Sequence, residues 1–105
     1  MKQGSVATLW MKKALGATAV LDDKIYDCKV LLYDGKQECI YLVLENDLLP
    51  AISLDGIYEC RVNQAEEQVL CTGRVRERYE NQFGKILKFE IENGFYKINL
   101  KSVDK

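Results

Sequence analysis

Histidine is absent from this 105-residue chain, and proline occurs once, at Pro50. Without an imidazole, the chain has no ordinary acid–base group that titrates near neutral pH. The four cysteines, Cys28, Cys39, Cys60 and Cys71, contain no C-x-x-C pair, so the close ligand spacing of a tetrahedral zinc site is missing. Also missing are a glycine-rich phosphate loop and a serine in a nucleophile-elbow context. Carboxylates are scattered over turns and outward strand positions, and none pair in an apolar setting that would split their pKa values. These absences leave no catalytic set, and the expectation is a non-enzyme with no metal and no cofactor. The longest apolar run, residues 39–44, is strand-sized and too short for a membrane span. Residues 1–5 lack the apolar stretch of a secretory signal, which makes a cytoplasmic location the expectation. Charge of one sign is lacking too. Fifteen basic residues against sixteen acidic ones give a net −1, so the chain as a whole is not a polycation suited to nucleic acid.

What the chain does have is apolar alternation at period two, broken by turn signals. Asn93-Gly94 has the composition of a two-residue type I′ hairpin turn. It places Glu92 opposite Phe95, Ile91 opposite Tyr96, Phe89 opposite Ile98 and Leu87 opposite Leu100, so that residues 56–100 read as four strands. Tyr58, Cys60 and Val62 point inward with Glu59 and Arg61 outward. The returning strand carries Val69, Cys71, Gly73 and Val75, with Gly73 opposite Tyr58 and Cys60 opposite Cys71. An oxidised preparation could bridge that cysteine pair, although a reducing compartment argues against it. Upstream, Tyr26, Cys28, Val30 and Leu32 share one parity, and Asp34-Gly35 is a second type I′ signal that pairs Val30 with Cys39 and Cys28 with Tyr41. The strand that follows is apolar on both faces, with Cys39, Tyr41 and Val43 on one and Ile40, Leu42 and Leu44 on the other. Such a strand needs two covers. The barrel interior supplies one. The other is either an N-terminal helix or a partner chain, which makes Ile40, Leu42 and Leu44 a candidate apolar interface.

Residues 5–15 form the one candidate helix, with Ser5 as cap, Val6, Trp10 and Met11 at helical spacing, and Gly16 as stop. Residues 17–21 read as a short strand. The connection at residues 46–55 holds Leu48, Leu49 and Ile52 and is expected to pack down. The chain is thus expected to be one all-β domain, a six-to-seven-stranded antiparallel split barrel over residues 17–101 with a helical segment at 1–16.

Charge is uneven across this architecture. Outward positions on the last strands carry Arg61, Arg74, Arg76, Arg78, Lys88, Lys97 and Lys101 against Glu59, Glu90 and Glu92. Arg74, Arg76 and Arg78 alternate, which aligns three guanidinium groups. The register sets Arg74 beside Glu90, Glu90 beside Lys97 and Arg76 beside Lys88. Glu77 and Tyr79 fall on the inward parity at a barrel rim. Arg61, Arg74, Arg76, Arg78 and Lys88 are therefore the candidate site for an anion or an acidic partner. The alternative for the same residues is an ordinary solvated sheet face.

The run Lys24-Ile25-Tyr26-Asp27-Cys28-Lys29-Val30, the Asp34-Gly35 turn, and Leu54-Asp55-Gly56-Ile57-Tyr58-Glu59-Cys60-Arg61-Val62 resemble PilZ-associated β-barrels. The likeness is to the N-terminal barrel of flagellar-brake-type proteins, over residues 17–100. Ser53-Leu54-Asp55-Gly56 resembles the S-x-x-G end of the PilZ motif, with Ala51 where that motif has Asp or Asn. No counterpart of the R-x-x-x-R segment that grips cyclic di-GMP precedes the first strand, and Lys12-Lys13 does not match it. The resemblance implies a barrel and a role in bacterial signalling without binding of cyclic di-GMP by this chain. Three functions follow as expectations. The first is a non-catalytic regulatory or adaptor domain acting through protein contacts. The second is an OB- or SH3-like barrel binding nucleic acid through the basic face, where Tyr79 and Phe83 would be the stacking groups. The third is a self-association module using Ile40, Leu42 and Leu44.

Overall fold

A computed structural model describes residues 1–16, 20–45 and 52–99, with side chains up to residue 94. Six strands form it: β1 (Val6–Ala14), β2 (Ile25–Asp34), β3 (Cys39–Leu44), β4 (Gly56–Asn63), β5 (Glu67–Asn81) and β6 (Gly84–Asn99). All neighbouring pairs are antiparallel, and the sheet closes on itself in the order β1-β2-β3-β6-β5-β4. The expected all-β barrel is therefore the fold, with six strands.

Residues 5–15 are not helical. Ala7, Leu9 and Met11 are buried while Thr8, Trp10 and Lys12 face outward, which is alternation at period two. An isolated helix of that length is marginal in water. As a strand, the segment satisfies two ladders at once, pairing Leu9 with Tyr26 on one side and with Cys60 on the other. The short strand read at residues 17–21 falls partly outside the described residues, and Val20 and Leu21 are not in a strand. Leu48, Leu49, Pro50, Ala51 and Lys101 also lie outside them.

Both Gly-containing turn signals place the register wrongly. Asp34-Gly35 does not make a two-residue turn; residues 35–38 form the loop and Glu38 takes φ of 54°. The Asp34 carboxylate holds this loop by accepting the Lys36 N–H at 3.0 Å and the Gln37 N–H at 3.3 Å. Asp34 then pairs with Cys39, Val30 with Leu42 and Cys28 with Leu44. A bulge between Val30 and Leu32 resets the pairing, and the N-terminal residues hook on beside it, Gly4 N–H to the Val30 carbonyl at 2.7 Å. This slip turns Ile40, Leu42 and Leu44 into the barrel, at 0, 0 and 5% exposure. They are core residues and not the expected interface; Tyr41 and Val43 are half-buried on the outer side.

At Asn93-Gly94 the chain does not reverse. β6 runs straight through it, with Thr72 beside Asn93 and Leu70 beside Tyr96. Register shifts on either side of Thr72 absorb extra residues of β6, so the Asn-Gly pair sits among bulges. A reversal there would leave the first half of β5 without a neighbour on this side. The hairpin turn is instead at residues 82–83, where Asn81 meets Gly84. Gly84 has φ of +121°, and the Asn81 side-chain oxygen accepts the Phe83 N–H at 2.8 Å. Phe89 consequently pairs with Val75 and Ile40, and Leu87 with Arg78 and Leu42, in place of the C-terminal partners expected for them.

The core runs through the barrel from Tyr26 and Tyr58 to Phe89, all three 0% exposed, and includes Leu9, Val62 and Val75. Burying side chains of this size contributes about 1.5–3 kcal/mol each. Tyr58 does sit opposite Gly73 and Cys60 opposite Cys71, as the alternation requires.

Candidate functional site

The inward residues of β1, β2 and β4 dictate what their outer face presents. With Leu9, Tyr26 and Cys60 in one interior row, the next outward row is Ile25, Trp10 and Glu59, and the one beside it is Asp27, Thr8 and Arg61. Arg61 is thus a diagonal neighbour of Trp10, and its guanidinium lies 5.2 Å from the centre of the indole ring. The Arg61 Nε is buried there without a hydrogen-bond partner. Asp22 and Asp23, in the segment leading into β2, close one end of a groove of about 520 Å³ lined by Thr8, Trp10, Ile25 and Arg61. Its apolar lining is partly open: Ile25 is 65% exposed. On the other flank Lys12 pairs with Glu59 at 3.3 Å.

Asp22 ties this groove to the barrel core. The Asp22 carboxylate accepts the Tyr26 hydroxyl proton in a short hydrogen bond and the Lys24 N–H at 2.9 Å. Burial is the main cause that pushes the Tyr26 phenol above its ordinary value of 10, and the Asp22 hydrogen bond adds to it. Tyr58, raised first by burial, accepts the Ser53 N–H at 3.0 Å. Ser53 and Gly56, the S-x-x-G pair, belong to this same barrel end. The Ser53 hydroxyl oxygen accepts the Asp55 N–H at 2.9 Å, and Gly56 opens β4 opposite Ala14. The pair makes the turn that leads the chain into β4.

The five cations singled out by their spacing do not form one patch. A bulge between Val75 and Glu77 breaks the alternation of the arginines. Arg74 faces outward beside Glu90, and its Nε is buried without a partner. Arg76 lies in the bulge, bound through its Nε to Glu90 in a short contact and through Nη2 to Glu92 at 3.4 Å. It does not oppose Lys88, which stands beside Glu77 and 5.9 Å from the Tyr41 ring centre. Arg78 has crossed to the parity of Leu87 and donates to the Ile52 carbonyl. Glu90 is paired within the Arg74 and Arg76 cluster, so the expected Glu90–Lys97 pair is not the register. Glu77 faces outward with Lys88, and Tyr79 faces outward with Ile86. The bulge thus reverses the inward parity expected of both.

Trp10, Ile25 and the two aspartates were missed because residues 5–15 read as a helix. Had Ala7, Leu9 and Met11 been taken as an inward row, Trp10 would have stood out as a tryptophan on a solvent face. Among the described residues no cluster of carboxylates or thiols has metal-binding geometry, and no helix is long and apolar enough to cross a membrane. No protein-family model, curated protein or solved structure matches this chain.

Proposed function

We propose that this barrel is a non-catalytic regulatory or adaptor domain that works by docking a protein partner in the Trp10–Arg61 groove. The observation that carries the reading is the stack of Arg61 on Trp10 beside the exposed Ile25. Tryptophan and arginine are the residue types that most often dominate protein interfaces, and here both stand on the paired strands β1 and β4. The PilZ-like run of residues 24–30 contributes Ile25 to this groove, and that resemblance supports a role in bacterial signalling. Without the R-x-x-x-R segment, cyclic di-GMP is not the ligand in this reading.

Nucleic-acid binding through the basic face has less behind it. Arg76 is neutralised by two glutamates and Arg78 is turned toward the barrel end. The test is affinity capture with the intact chain, compared with Trp10→Ala and Ile25→Asp. Both variants should keep the wild-type urea midpoint and lose the captured protein. Capture that survives both substitutions rules the groove out. A gel shift with single-stranded RNA that weakens with salt would move the function to the basic face.

A further inference from the structure

Cys60 on β4 and Cys71 on β5 are direct cross-strand partners, both pointing inward, at 0 and 1% exposure. The Cys71 thiol donates to the Cys60 carbonyl at 3.9 Å, which sets it directly beside Cys60. Directly opposed residues on antiparallel strands hold their Cβ atoms about 4.5–5.5 Å apart. A disulfide needs about 3.5–4.5 Å, so closing the bond asks for an approach of about one ångström. Hydrogen bonding to Cys71 and then burial push the Cys60 thiol well above its ordinary value of 9. The thiolate is the nucleophile in exchange, so Cys60 is inert while the barrel is closed, and Cys71 is sealed from solvent beside it.

We propose that Cys60 and Cys71 are a latent dithiol–disulfide couple, shielded in the closed barrel and oxidised by a small-molecule disulfide when the β4–β5 hairpin opens. One protein thiolate attacks a sulfur of the small disulfide, forming a mixed disulfide and releasing one thiolate. The second protein thiolate attacks the protein sulfur of that mixed disulfide and releases the other half. The small disulfide gains two electrons and leaves as two thiols, carrying the two thiol protons, while the protein keeps one new S–S bond. The bridge closes the loop of residues 61–70 and raises the folded-to-unfolded ratio on the order of 100-fold.

The test is to incubate the intact chain with glutathione disulfide in mildly alkaline buffer, with and without urea below the unfolding midpoint. Trypsin cuts after Arg61, so a bridge joins two otherwise separate peptides. The expected result is a product lacking two hydrogens, a Cys60–Cys71 linked peptide pair, faster formation in urea, and a higher urea midpoint for the bridged form. Cys60→Ser should take up only a mixed disulfide; if that variant fails to fold, the linked-peptide map of the wild type decides alone. A different cysteine pair in the map, glutathione adducts that never close, equal rates with and without urea, or a midpoint that does not rise would each overturn the proposal.

Discussion

Gly73 is the position where one atom decides the packing. A Cβ placed there would lie 1.9 Å from the Glu90 carbonyl oxygen on the neighbouring strand, where no side chain is available to yield. Gly73→Ala should therefore cost about 3 kcal/mol, read as a lower urea midpoint. Alkaline pH acts on single groups as well. Burial is the largest cause that pushes the Cys28 thiol up to about 12, from an ordinary 9. Below pH 9 this thiol is neutral in both states and stability is at its full value. As pH rises from 9 toward 12, the unfolded chain loses that proton while the barrel keeps it, so stability falls by about 1.4 kcal/mol per pH unit. Tyr26, also raised by burial, adds a further loss above pH 10. Urea midpoints measured from pH 7 to 11 should fall on the alkaline side; a flat profile would show that these groups are solvated.

Among the elements, the long β5–β6 ribbon is the one whose behaviour separates competing registers. Gly94 has nothing within 4 Å of where a Cβ would be, and its φ is not positive. Gly94→Ala should change stability by no more than about 0.5 kcal/mol, whereas a type I′ turn there would make it costly. Gly84→Ala should cost about 1–2 kcal/mol, because Gly84 sits at φ +121° with the Val43 side chain 3.3 Å from the added atom. The same ribbon explains the arginines. β4 pairs with β5 at residues 68–73, so among the described residues 74–81 pair with β6 alone. Arg74, Arg76, Glu77, Arg78 and Glu80 line that half-strand, and charge on an open edge discourages pairing with another chain. Arg76 and Glu90 are both well exposed, so Arg76→Ala should shift stability by less than about 1 kcal/mol, and less still at high salt.

For the molecule as a whole, closure of the sheet is what separates a sealed interior from the outer faces. Among the described residues the large inward side chains are sealed, and the outward faces differ: on β5 and β6 Arg76 is tied to Glu90 and Glu92, while Ile25 on β2 is open beside the half-buried Trp10 on β1. Titration calorimetry with cyclic di-GMP should accordingly give no heat of binding, and the groove variants should unfold like the wild type. A measurable dinucleotide affinity would show that the basic residues bind an anion despite the glutamates paired with them.

Local alternation was enough to give the all-β class, the inward rows of β2 as far as Val30 and of β4, and the Tyr58–Gly73 and Cys60–Cys71 pairings; Leu32, expected in the β2 row, is 55% exposed because the bulge after Val30 turns it out. Over residues 26–30 and 58–63 apolar and polar residues strictly take turns, and a slip by one residue would bury charge. β3 carries no such instruction, since both its faces are apolar, and there the Asp34 loop and a bulge chose the register. The glycine signals were ambiguous for a related reason: Asn-Gly and Asp-Gly suit a reversal and a bulge alike, and the ladder with the more complete pairing prevails. The same holds for residues 6–14, whose helical spacing lost to two strand edges waiting for a partner. The site followed the register. Where an arginine ends up depends on how many residues a bulge absorbs, and that number is set only when all six strands close.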